Sequence, residues 1–130
     1  MKRVLVDMSA TIIHHGHIRL LRKAKEYGYV VVALTTDEEI LNSKGFIPKL
    51  KYEERREIIQ SIRYVDDVVP CAWLIDDLFL DKHKIDLMIH GDDNQNDVSP
   101  NRLLILPRTQ GISSSLLRGD IQAASATNVS

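Results

Sequence analysis

The chain has 130 residues and one cysteine, Cys71, so it can form no internal disulfide, and no CxxC pair signals a structural zinc. That excludes a disulfide scaffold and fits a reducing, cytoplasmic setting. An excess of charge is also missing: 17 Lys and Arg face 18 Asp and Glu. No global field draws the protein to nucleic acid or to an acidic membrane surface, so any anion it binds must be held by a local site. Long apolar runs are absent too. In the opening MKRVLVDMSA, Asp7 interrupts the run well short of the roughly 18 apolar residues a spanning helix needs. The segment reads as a first strand, not as a signal peptide. There is no internal repeat.

What is present is an alternation of strand and helix patterns. Val4 to Val6 reads as a buried strand, and Ile18, Leu21, Ala24 and Tyr27 recur at helix spacing up to Gly28, a C-cap residue. Tyr29 to Thr36 is a second strand. The segment DEEILNSKGFIPKLK, with Gly45 and Pro48, reads as a mobile loop. A helix follows in YEERREIIQSIRYV with Ile58, Ile59, Ile62 and Val65 as its apolar face, and VDDVVP is the next strand. WLIDDLFLDKHKI reads as a helix through Leu74, Leu78 and Ile85, IDLMIHG and RLLILP as strands, and Ser113 as the cap of a last helix. These elements predict one α/β domain over residues 1–121, with a mostly parallel sheet flanked by helices, and a disordered polar tail over 122–130. In such a sheet, ligands sit beyond the carboxyl ends of the strands, so polar residues just after strands are the first candidates.

The stretch IIHHGH puts His14, His15 and His17 around Gly16 at the start of the first helix. His14 and His17, three residues apart, share one face of the first turn. A helix N-terminus offers unpaired N–H groups and a partial positive charge, and glycine lets a ligand approach the backbone, so an anion site fits best. Two other readings stay open: a metal site, for which His83 and His90 are the only further imidazoles, and plain helix-starting residues.

His14-His15-Gly16-His17 fits the HxGH motif of a nucleotidyltransferase superfamily, and Arg108 to Ser115, RTQGISSS, resembles the RTxGISST motif of its cytidylyltransferase branch. YEER at 52–55, RYVD at 63–66 and HGDD at 90–93 are similar to segments of glycerol-3-phosphate and ethanolamine-phosphate cytidylyltransferases. The resemblance covers residues 1–118. It implies a Rossmann-like fold, usually homodimeric, that joins CTP to a small phosphorylated alcohol, with Mg2+ and release of pyrophosphate. It further implies that His14, His17, Lys44 and Arg108 are catalytic. Ser9, Ala10, Gly16, Asp92, Asp93, Thr109, Gly111, Ile112, Ser113, Ser114 and Ser115 would hold the nucleotide. Lys44, Arg55 and Arg63 would hold the acceptor, with Lys49 and Lys51 as alternatives for the loop lysine. For Arg63, ion pairing with Asp66 or Asp67 is an equal reading. No side-chain metal site is expected.

The chain departs from the family wording just before HxGH. Where relatives read GTFD, residues 8–11 are Met-Ser-Ala-Thr, so Thr11 stands in place of the aspartate. The MSA…IIHHGH wording is also similar to cytidylyltransferases of phosphonate biosynthesis, and WLIDDLFLD is acidic where glycerol-3-phosphate enzymes tend to carry lysine. A phosphonate, phosphoethanolamine or phosphocholine acceptor is therefore the alternative to glycerol 3-phosphate. An adenylyltransferase or a non-catalytic nucleotide-binding module are lesser ones.

Overall fold

In the computed structural model, residues 1–107 are described. Five strands form one sheet: β1 (Arg3–Met8), β2 (Tyr29–Thr35), β3 (Asp67–Cys71), β4 (Leu87–Gly91) and β5 (Leu103–Leu106). Their order is β3-β2-β1-β4-β5 and every pairing is parallel. The expected Rossmann-like α/β architecture is what the chain adopts. The expected helix at Ser113 and the tail lie outside the described residues.

β2 is apolar almost throughout because it is covered on both faces and has a neighbour on each side, leaving residues 30–35 buried. One face of the sheet carries Val4, Val6, Val30 and Val32 against Leu21, Ala24 and Ile59 of helices α1 (His15–Lys25) and α3 (Tyr52–Gln60). The other carries Leu5, Val31, Ala33 and Met88 against Ile75, Leu80 and Ile85 around α4 (Asp77–Lys82). The chain runs outward from β1 through β2 to β3, then returns to place β4 on the other side of β1. The topological switch point is thus the seam between β1 and β4, where the paired register ends at Val6 and Ile89.

Several local expectations change. DEEILNSK is not a loop but α2 (Asp37–Lys44). Thr36 caps it by accepting from the Glu39 N–H, three acids occupy its first turn, and Gly45 ends it at φ 80°. Only Ile40 is buried, so hydrophobic periodicity does not reveal this helix. α3 ends at Gln60, before Ile62 and Val65, and Ile58 is exposed; the helix buries Ile59 and, one turn earlier, Arg55. α4 spans only six residues, with Leu74 and Leu78 exposed and Leu80 inside. Gly28 does not cap α1, whose C-cap is Glu26. It is needed instead because a Cβ there would lie 2.1 Å from the Lys2 carbonyl oxygen, with φ at +154°.

Candidate active site

A cleft of about 730 Å3 opens at the carboxyl ends of β1, β2 and β4, at the switch point. The start of α1 forms one wall and α2 with the Trp73 loop forms the opposite wall; Asp7, His90 and the turn after β4 close the floor.

His14 is the N-cap of α1. Its Nδ1 accepts from the Gly16 N–H at 3.0 Å, and the Nδ1 of His17 accepts from the His14 N–H at 3.1 Å. The two imidazoles therefore close a reciprocal cap on each other's backbone, with ring centroids 4.1 Å apart. An Nδ1 that accepts cannot carry a proton, so each neutral ring holds its hydrogen on Nε2. Burial, then the neighbouring His14, pushes the His17 pKa down to about 4. Burial and then His15 lower that of His14. At neutral pH both rings are uncharged Nε2–H donors in the cleft beside Gly16, while His15 is exposed. Among the described residues, no group of three His, Cys, Asp or Glu side chains converges to hold a metal ion.

The residues before the motif are bent sharply. Ser9 lines the cleft, whereas Ala10, at φ 50°, and Thr11 are buried. A left-handed alanine costs on the order of 1–2 kcal/mol and persists only where its surroundings impose it. Arg55 is a large part of those surroundings. Its side chain is fully buried, donating to the carbonyls of Ser9 (2.6 Å), Thr35 (2.9 Å) and Leu50 (3.1 Å) and to Asp37 (2.7 Å). Burial alone would raise the Asp37 pKa, but the Tyr52 N–H and Arg55 hold it below the ordinary carboxylate value. The resemblance places Arg55 at the acceptor; in the fold it does not line the cleft, and four of its five N–H donors tie the Ser9 loop to β2, α2 and the chain before α3.

Lys44 is on the cleft wall, at the end of α2 and not in a loop, with Nζ 5.5 Å from the centre of the Trp73 ring. The Trp73 N–H donates to Glu39 of the same helix at 3.0 Å, which fastens the aromatic loop to α2. Lys49 and Lys51 are exposed and do not line the cleft. Nor does Arg63, whose guanidinium packs over Tyr64 at 5.8 Å while Asp66 pairs with Lys25 at 2.6 Å. Asp93 lines the cleft; Asp92, its exposed neighbour, does not. Arg108, Thr109, Gly111, Ile112, Ser113, Ser114 and Ser115 lie outside the described residues.

Asp7 and Trp73 line the cleft although sequence reasoning gave them no role, and so does His90, noted there only as a further imidazole and as the first residue of HGDD. Asp7 and His90 stand at the carboxyl ends of adjacent strands, so the rule that selected the HGDD turn could have selected them as well. Burial acts to lower the His90 pKa, but contact with Asp7, then the Gly91 carbonyl and Asp93, pushes it up to about 9. Cys71, at the end of β3 on the far side of β2, stays a neutral thiol, pushed up to about 12 by burial and by Asp7.

The family described as Cytidylyltransferase-like matches residues 9–106, most of the chain and all of the cleft elements except β1 before Ser9. The chain belongs to the cytidylyltransferase-like family. It is 34% identical to a glycerol-3-phosphate cytidylyltransferase of Staphylococcus aureus, covering 97% of this chain and 99% of that one. Identity to the Bacillus subtilis glycerol-3-phosphate cytidylyltransferase is 36%, over 93% and 98%. It is 38% to the mouse ethanolamine-phosphate cytidylyltransferase, over 90% of this chain but 32% of that protein. The fold is shared with a lipopolysaccharide core biosynthesis protein of Thermoplasma volcanium, at a TM-score of 0.70 and 21% identity over 84% and 98% of the two chains.

Proposed function

We propose that the protein transfers CMP from CTP to the phosphate of a small phosphorylated alcohol, nominally glycerol 3-phosphate, yielding a CDP-alcohol and pyrophosphate. The observation that carries this reading is the pair of neutral Nε2–H donors of His14 and His17, set at a helix N-terminus inside the cleft. An acceptor phosphate oxygen attacks the α-phosphorus of CTP, forming one P–O bond as the bond to pyrophosphate breaks. The nucleophile is already an anion, so no base has to remove a proton. What is required is positioning of two repelling anions and stabilisation of charge spreading over phosphate oxygens. Preorganised imidazole donors and the positive end of the α1 dipole supply the second, and Lys44, which lines the same cleft, supplies charge to the first. Magnesium belongs to the same reading as part of the Mg·CTP substrate, where it would neutralise triphosphate charge. A homodimer and a cytoplasmic location belong to the same reading, supported by the family resemblance.

One observation favours a second acceptor class. The Trp73 ring already receives an ammonium, that of Lys44, and the carboxylates of Asp7 and Asp93 line the same cleft. An aromatic face beside carboxylates suits an acceptor bearing its own cationic group, such as phosphoethanolamine, phosphocholine or an aminoalkyl phosphonate. Relatives named for ethanolamine phosphate and choline phosphate are consistent with it.

A panel of these acceptors with each of the four NTPs and Mg2+, read as pyrophosphate release, tests both. Turnover with CTP and glycerol 3-phosphate supports the first reading, and turnover confined to cationic acceptors supports the second. CTP binding without turnover on any acceptor rejects the enzyme, and preference for ATP moves the protein to the adenylyl branch.

A further inference from the structure

We propose that His90 is a positioning residue of the cleft, a cationic crossbar that ties Asp7 of β1 to the Asp92-Asp93 turn after β4. The inference rests on the nucleotide reading above and assigns to His90 the geometry of the turn expected to recognise the nucleoside.

The placement follows from the sheet. Val6 and Ile89 are the last paired residues of β1 and β4, so Asp7 and His90 are next in line on adjacent strands. Their side chains are 12% and 19% exposed, and His90 Nε2 is 3.2 Å from Asp7 Oδ1. On the other side of the ring, Nδ1 is 3.1 Å from the Gly91 carbonyl oxygen and 3.6 Å from Asp93 Oδ1. One imidazole therefore stands between two carboxylates, one on β1 and one in the turn after β4. Its neighbour β5 adds no titratable group, since His90 is paired there with Ile105. The nearby Cys71 of β3 stays a neutral thiol.

The Asp7 contact is an ion pair without the alignment of a hydrogen bond: Oδ1 has no hydrogen-bond partner among the described residues, while Oδ2 accepts from Asn96 at 3.3 Å. What His90 gives Asp7 is consequently charge and not a directed bond. Without that charge, a nearly buried carboxylate loses its counter-ion and two like charges face each other across the β1–β4 seam. A neutral side chain cannot replace the imidazolium, whereas a compact cation can.

The test combines His90→Gln, His90→Lys and Asp7→Asn with Mg·CTP binding by calorimetry and nitrogen-resolved NMR of the imidazole rings. In the wild type, the His90 ring carries both protons at neutral pH and loses one with a midpoint near about 9. Mg·CTP binding weakens over the same interval. His90→Gln is expected to weaken Mg·CTP binding about tenfold at neutral pH, the scale of one charge-assisted contact, and to abolish the alkaline change. His90→Lys restores binding, and Asp7→Asn lowers the His90 midpoint by about one unit or more. If His90→Gln does not fold, the Asp7→Asn/His90→Gln pair, which removes both charges, is expected to fold and to bind Mg·CTP without the alkaline change. A neutral His90 ring at pH 7, or equal Mg·CTP affinity of wild type and His90→Gln from neutral to alkaline pH, overturns the assignment. So does an unchanged alkaline weakening in the double variant. The NMR and binding readouts need no turnover, so failure of the acceptor panel leaves this assignment separately decidable.

Discussion

The two sides of the cleft use the same side chain in opposite charge states. At the start of α1, His14 and His17 have their Nδ1 atoms capped by backbone N–H groups and are held neutral, whereas across the floor His90 lies between Asp7 and Asp93 and is held protonated. Burial pushes all three imidazoles toward the neutral form. At His14 and His17 a second imidazole adds to that push, whereas at His90 the carboxylate of Asp7, the Gly91 carbonyl and Asp93 outweigh it. Residue type at a site is therefore a weak statement until the atom opposite each nitrogen is known.

This contrast can be broken most strongly at His17. Replacing it with Ala is expected to cut kcat by about 10²–10³-fold, the scale of one lost transition-state donor, with the acceptor panel's productive pair as substrates. Near wild-type turnover would reduce the imidazole to a helix cap. Next comes acid stability. With the His17 pKa at about 4 against 6.5 in the unfolded chain, the unfolded state binds more protons between those values. Folding stability is lost as pH falls through that window, by on the order of 3 kcal/mol at most. Urea melts at a series of pH values should show this, and a His17→Gln variant should flatten it. His90 carries the opposite sign: its pKa is raised, so its contribution is complete below 6.5 and lost as pH rises through about 9. Melts of Asp7→Asn should lose that alkaline limb and keep the acid one.

Lys44→Ala is expected to do less, raising the acceptor KM about tenfold, as for one hydrogen bond to a charged group, with the CTP KM little changed. Equal effects on both substrates would detach Lys44 from the acceptor. The smallest effect belongs to His15, the exposed member of the motif: His15→Ala should alter stability by less than about 0.5 kcal/mol and leave kcat in place. A large loss there would mean that His15, and not burial, dominates the charge state of His14.

How legible these features were differed by residue. The alternation of strands and helices could be anticipated, because runs such as YVVVALT are too apolar and too short to be anything but a buried strand. The His14-Gly16-His17 grip was visible because capping and anion binding at a helix start are local physics. α2 was missed, since its signals are end signals, Thr36, three acids and Gly45, while its apolar face is one residue wide. The burial of Arg55 was not legible either: the resemblance assigned it to the acceptor, and only the four oxygens that converge on it in the fold make a buried guanidinium tolerable.

By itself, then, the sequence determined the α/β architecture, the family and the presence of a histidine-flanked helix start, all of which depend on neighbours within a few residues or on motif wording. Tertiary structure decided the charge on each histidine, the kink at Ala10 and the partnership of Asp7 with His90. Those depend on which atoms the β1–β4 pairing and the buried Arg55 bring within hydrogen-bonding distance, across 83 and 46 positions of the chain respectively for Asp7–His90 and Ser9–Arg55. Local propensity carries no information at that separation, because the contacts exist only once the sheet has closed.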